Sequence, residues 1–237
     1  MDTIETPARA MVVAPHPDDG ESGCSGTTAK WIREGCEVVY VVCTNGDKGT
    51  SDVGMTPEKL ASIREEEQRK AADALGVKDV VFLGHGDGEL EGNLVLIGEL
   101  VHAIRRFKPD TILTTDPHRT ETHNHRDHRV TGQAVLDACF PYARDRLHFV
   151  EHEKEGLEPH KVGTVLLWGA DRPDVMVDIT DSIEAKLTAL MQHASQVGDS
   201  YSDVAEWVKA FGRRAADRAK GTGYEYAEAF RKLTFRR

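Results

Sequence analysis

The stretch VVAPHPDDGESGCSGT, residues 12–27, decides how the chain is interpreted, because an apolar run typical of a buried strand ends abruptly in His-Pro-Asp-Asp. Small residues punctuated by glycine follow at once. The neighbouring carboxylates of Asp18 and Asp19, beside His16, repel each other, so they end a strand poorly unless another charge compensates them. The stretch is therefore either a solvated loop or a loop that holds a cation.

The glycines of this stretch also suggest a dinucleotide-binding turn. Their spacing is not G-x-G-x-x-G, and the next apolar run ends in Cys43, Thr44 and Asn45, without the acidic residue that would bind a ribose. Two carboxylates in the turn would also repel a pyrophosphate. Nucleotide binding is the weaker hypothesis.

Outward from this stretch, strand-like and helix-like segments alternate along the chain of 237 residues. The alternation predicts an α/β fold: a Rossmann-like, mostly parallel β-sheet with helices on both faces, in a single domain over 1–237. The predicted strands are 10–14, 37–44, 79–84, 110–116, 162–170 and 175–180. The predicted helices are about 22–34, 57–75, 93–107, 127–142, 181–194 and 202–220.

Composition narrows the class of protein. A hydrophobic share of 39% and a charged share of 30% are typical of a globular protein, and no apolar run reaches membrane-spanning length. The net charge of -10 argues against nucleic-acid binding, which favours a basic face. The four cysteines form no C-x-x-C pair, and the N-terminus lacks a secretory pattern, so we expect a cytoplasmic protein. Homo-oligomerisation stays open.

A second polar stretch, PHRTETHNHRDHRVTG, follows the fourth predicted strand and contains four of the 11 histidines. A solvated histidine-rich loop is one interpretation. The clustering favours another, because His and Asp are ligands of divalent zinc, and a catalytic zinc site typically takes three of them and keeps a fourth position for water. His16 and Asp19 could supply two ligands, and His128 a third. The carboxyl ends of parallel strands lie at one edge of a sheet, so we expect the two stretches to meet there.

The two stretches together resemble the LmbE-like (PIG-L) N-deacetylase family. The resemblance rests on APHPDDGE followed by GCSGT and on HRDHR at the start of a later helix. It extends through TNGDKG, IREEEQRKAADALGV, FLGHGDGEL and KLTALMQHASQ, and so covers most of the chain in the expected order.

The resemblance implies a role for each residue that matches a family motif. His16, Asp19 and His128 match zinc ligands, although another divalent ion such as Fe²⁺ or Co²⁺ is an alternative. Asp18 matches the general base. His125 matches the histidine that faces the reacting carbonyl, and Asp127 the acid that orients it.

Four other residues have two interpretations each. Arg64 matches an arginine that holds the substrate, or it forms a surface salt bridge with a glutamate. Asp87 could bind a sugar hydroxyl, or it could stabilise its turn. His193 is interpreted as structural before catalytic, and Trp207 as a core or interface residue.

The function that follows is a zinc-dependent hydrolase that removes acetyl from a small N-acetylated amino sugar of the glucosamine type. The compact length resembles the bacillithiol-pathway type. Two alternatives remain: a two-metal phosphoesterase with His118 and His123 as extra ligands, and a metal-stabilised binding protein without turnover. Asp18 argues against the second alternative, because a structural zinc site takes four protein ligands and needs no base.

Overall fold

The computed structural model describes residues 4–122, 124–198 and 200–235. The strands are β1 (Arg9–Ala14), β2 (Glu37–Thr44), β3 (Asp79–His85), β4 (Thr111–Thr115), β5 (Thr164–Trp168), β6 (Val175–Asp178) and β7 (Ala227–Thr234). The α-helices are α1 (Asp19–Arg33), α2 (Pro57–Leu75), α3 (Leu94–Phe107), α4 (Arg126–Asp137), α5 (Ile183–Leu190), α6 (Ala194–Val197) and α7 (Tyr201–Arg218).

The strands form one sheet in the order β3-β2-β1-β4-β5-β7-β6. Neighbours from β3 to β5 are parallel, and β7 lies antiparallel to both β5 and β6. The predicted α/β fold with a mostly parallel sheet is therefore confirmed. The prediction omitted β7, because its sequence AEAFRKLT mixes charged and apolar residues and contains no apolar run.

Several helix boundaries differ from the prediction; α5, for example, ends at Leu190 rather than near residue 194. Helix α1 begins at Asp19 rather than near residue 22, which places Asp19 in its first turn. Helix α4 ends at Asp137 rather than near residue 142, and one irregular turn that contains Pro141 follows. Proline disfavours helical backbone in the residue before it, and Phe140 is accordingly extended.

Helices cover both faces of the sheet, as predicted. On one face, Val12 of β1 packs in a core with residues of α1, α2, α5 and α7. On the other face, the adjacent Met11 and Val13 pack in a core with residues of α3 and α4. The near-complete burial of β1, β2 and β4 is typical of parallel strands with helices on both sides.

The strand order sets the position of the site. From β1 the chain continues to β2 and β3 on one side, while β4 and β5 lie on the other side. Such a reversal opens a crevice beyond the carboxyl ends of the two central strands, where α/β proteins bind ligands. Both polar stretches follow these strands, since one comes after β1 and the other after β4. Within the described ranges, no helix combines the length and apolar character that a membrane span requires.

Candidate metal centre

The loop after β1 directs two adjacent carboxylates to different partners. Asp18 is the N-cap of α1 and has left-handed backbone, with φ 92° and ψ -24°. This conformation is uncommon outside glycine, although Asp tolerates it better than most residues. Asp19 Oδ2 lies 3.1 Å from His16 Nδ1, whereas Asp18 Oδ2 accepts a hydrogen bond from Arg64 Nη2 at 3.0 Å. The two carboxylates are thus available for different tasks.

The three residues predicted as metal ligands lie together, because His16 and His128 both contact one carboxylate oxygen of Asp19. Asp19 Oδ2 is 3.1 Å from His16 Nδ1 and 3.2 Å from His128 Nε2. Two imidazole nitrogens and one carboxylate oxygen match the donors of catalytic zinc sites, which use three protein ligands. The side chains present therefore fit a divalent ion of this kind.

Among the described residues, two other sets have donor atoms that all lie within 4.8 Å of one another: His16 with His125 and His128, and His16 with Asp87, His125 and Asp127. Asp19 belongs to neither set. What distinguishes the predicted set of His16, Asp19 and His128 is that Asp19 Oδ2 lies within 3.2 Å of a ring nitrogen of both histidines. His125 Nδ1, by contrast, accepts a backbone hydrogen bond.

His16 is surrounded by carboxylates on both sides of its ring. Opposite the Asp19 contact, Nε2 lies 3.0 Å from Asp87 Oδ1 and 3.2 Å from Asp127 Oδ2. Burial alone would lower the pKa of His16, but the hydrogen bonds with Asp127, Asp19 and Asp87 outweigh burial and raise that pKa to about 11. The pocket therefore stabilises a positive charge, and a metal ion would compete with a proton for it.

Asp18 is held close to the candidate ligands by Arg64. Burial, followed by the charge of Asp19, raises the pKa of Asp18 to about 7, while the Arg64 charge acts in the opposite direction. A cation bound by the neighbouring side chains would favour the ionised carboxylate. In that state Asp18 could accept a proton.

Arg64 lies behind this loop and is only 4% exposed. Its guanidinium donates to the carbonyl oxygens of Gly46 and Pro17, at 3.0 and 2.6 Å, and to Asp18. The surface salt bridge with a glutamate, one of the two sequence interpretations, is not what the structure shows. The predicted contact between Arg64 and substrate stays a prediction.

The loop after β4 brings His125 and Asp127 to the same place. His125 is the N-cap of α4, and its Nδ1 accepts a hydrogen bond from the backbone amide of Asp127 at 3.2 Å. This bond leaves the proton of a neutral imidazole on Nε2. The resemblance implies that the Asp127 carboxylate orients His125, but its Oδ2 is 4.0 Å from His125 Nδ1 and contacts His16 and the Gly88 amide instead. The first turn of α4 explains the difference, because it places the amide, not the carboxylate, of Asp127 at His125.

Asp87 is fixed in the loop after β3. Its backbone amide donates to Asp47 Oδ1 at 2.9 Å, and Lys48 Nζ donates to its carbonyl oxygen at 3.0 Å. Its carboxylate contacts His16, a partner that the sequence did not indicate. A carboxylate on the second ring nitrogen of a metal-binding histidine typically orients that ring. The predicted contact of Asp87 with a sugar hydroxyl stays a prediction.

Sequence analysis missed a buried chain of polar side chains behind Asp18. Gln68 Oε1 accepts from the Asp18 amide at 3.2 Å, and Gln68 Nε2 donates to Glu21 Oε1 at 2.9 Å. His193 Nε2 lies 3.3 Å from Glu21 Oε2, and both side chains are fully buried. The available signal was spacing, because Gln68 follows Arg64 by four residues and so shares its helix face.

The extra histidines of the phosphoesterase alternative have little support. The exposed residue His118 belongs to neither donor set found in the described part of the chain. His123 lies outside the described residues.

A cleft of about 510 Å³ begins at Asp19 and His128 and extends to α7. This volume is within the range of pockets that enclose a small-molecule ligand. A cavity of about 400 Å³ between β3, α3 and the turn at Phe149 contains none of the candidate ligands, so of these two spaces the first is the one connected to the metal centre.

Comparisons with known proteins identify the family. The family profile PIG-L, GlcNAc-PI de-N-acetylase, matches residues 11–139. Diacetylchitobiose deacetylase of Thermococcus kodakarensis is 34% identical over 228 residues, which cover 94% of this chain and 82% of that protein. The probable N-acetyl-alpha-D-glucosaminyl L-malate deacetylase 2 of Bacillus cereus is 31% identical, with 84% of this chain and 88% of the relative covered. The solved structure of N,N'-diacetylchitobiose deacetylase from Pyrococcus horikoshii, with its inhibitor MPG, has a TM-score of 0.88 at 30% identity and covers 96% of this chain and 84% of that one.

Proposed function

This chain belongs to the PIG-L family of N-deacetylases, and from that premise we propose that it uses zinc to remove the acetyl group from an N-acetylglucosamine-type sugar conjugate. Family membership makes the reaction a hydrolysis of an N-acetyl amide bond. The metal, the residue roles and the sugar are the proposed parts.

The observation that carries the proposal is the contact of Asp19 Oδ2 with both His16 Nδ1 and His128 Nε2, next to a differently directed Asp18. Three donors leave room for water, and a carboxylate that is not a donor can serve as base. A purely structural site would need a fourth protein ligand and no base, so the arrangement favours catalysis over the non-catalytic alternative.

Zinc, when bound, would lower the pKa of a water ligand from 15.7 toward about 7 and polarise the acetyl carbonyl. In the proposed reaction, Asp18 accepts a proton from the attacking water while a new C–O bond forms at the carbonyl carbon. His125 Nε2–H donates to the oxygen that becomes negative, a type of contact that stabilises by a few kcal/mol when it is well aimed. The C–N bond then breaks, and the leaving amine takes a proton from Asp18 or from His125. The products are acetate and a free amino sugar.

The experiment is metal analysis combined with a test of amine release. We expect about one zinc ion per purified chain, because the site offers three donors. We also expect release of primary amine from N-acetylglucosamine or N,N'-diacetylchitobiose, because deacetylation frees the amino group. His128→Ala should lose most of the metal. His118→Ala is the matched control, because His118 comes from the same histidine-rich stretch but belongs to no donor set among the described residues; it should keep both metal and activity.

Two results would contradict the proposal. Two stoichiometric metal ions per chain would favour the phosphoesterase alternative. Full metal content in His128→Ala would remove this histidine from the ligand set.

The proposed location is the cytoplasm. All four cysteines are unpaired and buried, and disulfides are rare where thiols are kept reduced. Intact-mass measurement with and without alkylation after gentle lysis should find four free thiols per chain.

A further inference from the structure

We propose that Trp207 and Phe211 on α7 form a second sugar subsite, which packs against the ring attached to the reacting N-acetylated sugar. The proposal rests on the proposed deacetylase function and adds the class of substrate, a glycoside of at least two pyranose rings.

The two aromatic side chains are exposed, so of the two interpretations of Trp207 from the sequence, core or interface residue, the structure excludes the core. Trp207 is 47% exposed and Phe211 is 54% exposed, with ring centroids 5.1 Å apart at an interplanar angle of 63°. They lie one turn apart on α7, while Val204 and Val208 of the same helix are buried in the core. The helix is therefore anchored by other residues, and the aromatic pair faces the cleft, with Arg214 over the Phe211 ring at 5.6 Å from its centroid.

The pair lines the same cleft as the metal centre. The cleft runs from Asp19 and His128 past Gly23 and Trp168 to α7. At Gly23 a Cβ atom would lie 2.7 Å from the Trp168 indole, so only glycine lets this ring pack so closely against α1. One continuous surface thus joins the reacting end to the aromatic pair.

The two walls of the cleft differ in chemistry. On α7 the cleft is lined by the aromatic rings of Trp207 and Phe211 and also by Arg214 and Arg218, whereas the loops after β4 and β5 contribute polar residues such as Arg119, Glu121 and Asp171. Asp171 Oδ2 fixes these loops together by accepting hydrogen bonds from the Thr120 amide and hydroxyl. A pyranose ring has apolar C–H faces and a polar edge, so it matches a groove that offers aromatic rings together with charged and polar side chains.

The size of the cleft supports the same occupant. About 510 Å³ is more space than an acetamido group bound at the ligands would occupy. Two relatives reported above are named as deacetylases of diacetylchitobiose, a two-ring sugar. An exposed aromatic pair can also mark an interface between copies of the chain, and the test includes that outcome.

The test compares a two-ring substrate with a one-ring substrate. For Trp207→Ala and Phe211→Ala, we expect the ratio of kcat/KM on N,N'-diacetylchitobiose to kcat/KM on N-acetylglucosamine to fall about tenfold, the size expected for a lost aromatic contact. Trp207→Phe should recover part of the ratio. The matched control is Phe140→Ala, because Phe140 is 46% exposed and lies under Arg144 but outside the cleft; it should leave the ratio unchanged.

A binding measurement separates this proposal from the proposed function. In the Asp18→Asn background, calorimetry with both sugars should show that Trp207→Ala weakens the disaccharide about tenfold more than the monosaccharide. If this selective loss occurs but the wild-type protein releases no amine, the subsite stands and the deacetylase proposal fails. If amine is released but both sugars respond equally to the variants, or if neither sugar binds, the subsite is overturned. A smaller mass of Trp207→Ala in light scattering would also overturn it, because the pair would then be an interface between copies.

Discussion

Two groups of buried charged side chains contact helix α1, one at its first turn and one near its middle, and they differ in charge balance. At the first turn, the carboxylates of Asp19, Asp87 and Asp127 surround His16. Near the middle, Lys186 Nζ and Glu228 Oε1 form a single pair at 2.6 Å. The first group has an excess of negative charge, and the second is neutral.

The neutral pair is also complete in its hydrogen bonds. The Glu228 carboxylate accepts from the backbone amides of Gly26 and Thr27 at 3.0 and 2.7 Å, and Lys186 donates to the Ser22 carbonyl oxygen at 2.7 Å. The pair therefore joins β7 and α5 to α1 without needing a ligand. Burial of charge alone does not identify a functional site; an unbalanced group that stabilises a cation is the stronger indication.

The largest effect should come from Asp18, which lies beside the unbalanced group but is not one of its donors. Asp18→Asn preserves size and removes the base, so kcat should fall by about two to four orders of magnitude while zinc and substrate still bind. Stopped assays of amine release, with metal analysis of the same sample, measure both quantities. The comparison is Asp19→Asn, which should lose metal because it alters a proposed ligand and not the base. Near-normal kcat in zinc-loaded Asp18→Asn would show that another group, such as His125, activates the water.

The neutral pair should matter for stability and not for metal. Lys186→Met leaves the Glu228 carboxylate buried without its partner, so we expect the free energy of unfolding to fall by about 3–5 kcal/mol. Urea unfolding measures the loss. The double variant Lys186→Met/Glu228→Gln should recover part of it, because no charge then remains buried.

The comparison also predicts the metal content of Lys186→Met. Folded protein should keep its full metal content, since neither Lys186 nor Glu228 belongs to a donor set in the described chain. Loss of metal from folded Lys186→Met would mean that the two charge groups are one functional unit.

A smaller effect is expected at Asp87, which contacts the second ring nitrogen of His16. Asp87→Asn removes a carboxylate that orients the ring, and such changes weaken metal affinity by about 10–100-fold. Competition with a fluorescent chelator measures that affinity. Asp203→Asn, at an exposed position on α7, is the control and should bind zinc as wild type does. If Asp87→Asn changed KM for the sugar and left metal affinity intact, the predicted sugar contact would be the better interpretation.

The sequence predicted that His16, Asp19 and His128 lie close together, because their proximity depends on the topology of the sheet. Each residue follows a parallel strand, and parallel strands bring their carboxyl ends to one edge. The sequence could not predict contacts that depend on exact loop geometry. The Asp127 carboxylate contacts His16 and not His125, and the Asp87 carboxylate, from the loop after β3, also contacts His16. Strand β7 was missed for a related reason, since Glu228 looks like a surface residue until Lys186 is placed beside it.

The smallest predicted effect concerns Arg64, which the resemblance assigned to substrate and which the structure places behind Asp18. Its two terminal nitrogens reach Gly46, Pro17 and Asp18 from one planar group. Arg64→Lys keeps the charge but cannot reach all three acceptors, because an ammonium lacks the planar fork. Loss of one hydrogen bond to a carbonyl oxygen corresponds to about 0.5–1.5 kcal/mol, so we expect kcat to fall about two- to tenfold while KM and zinc content change little. Steady-state kinetics on N-acetylglucosamine would distinguish substrate binding from positioning of Asp18. A raised KM at constant kcat would show that Arg64 binds the substrate. A lowered kcat at constant KM would show that Arg64 holds the base in place.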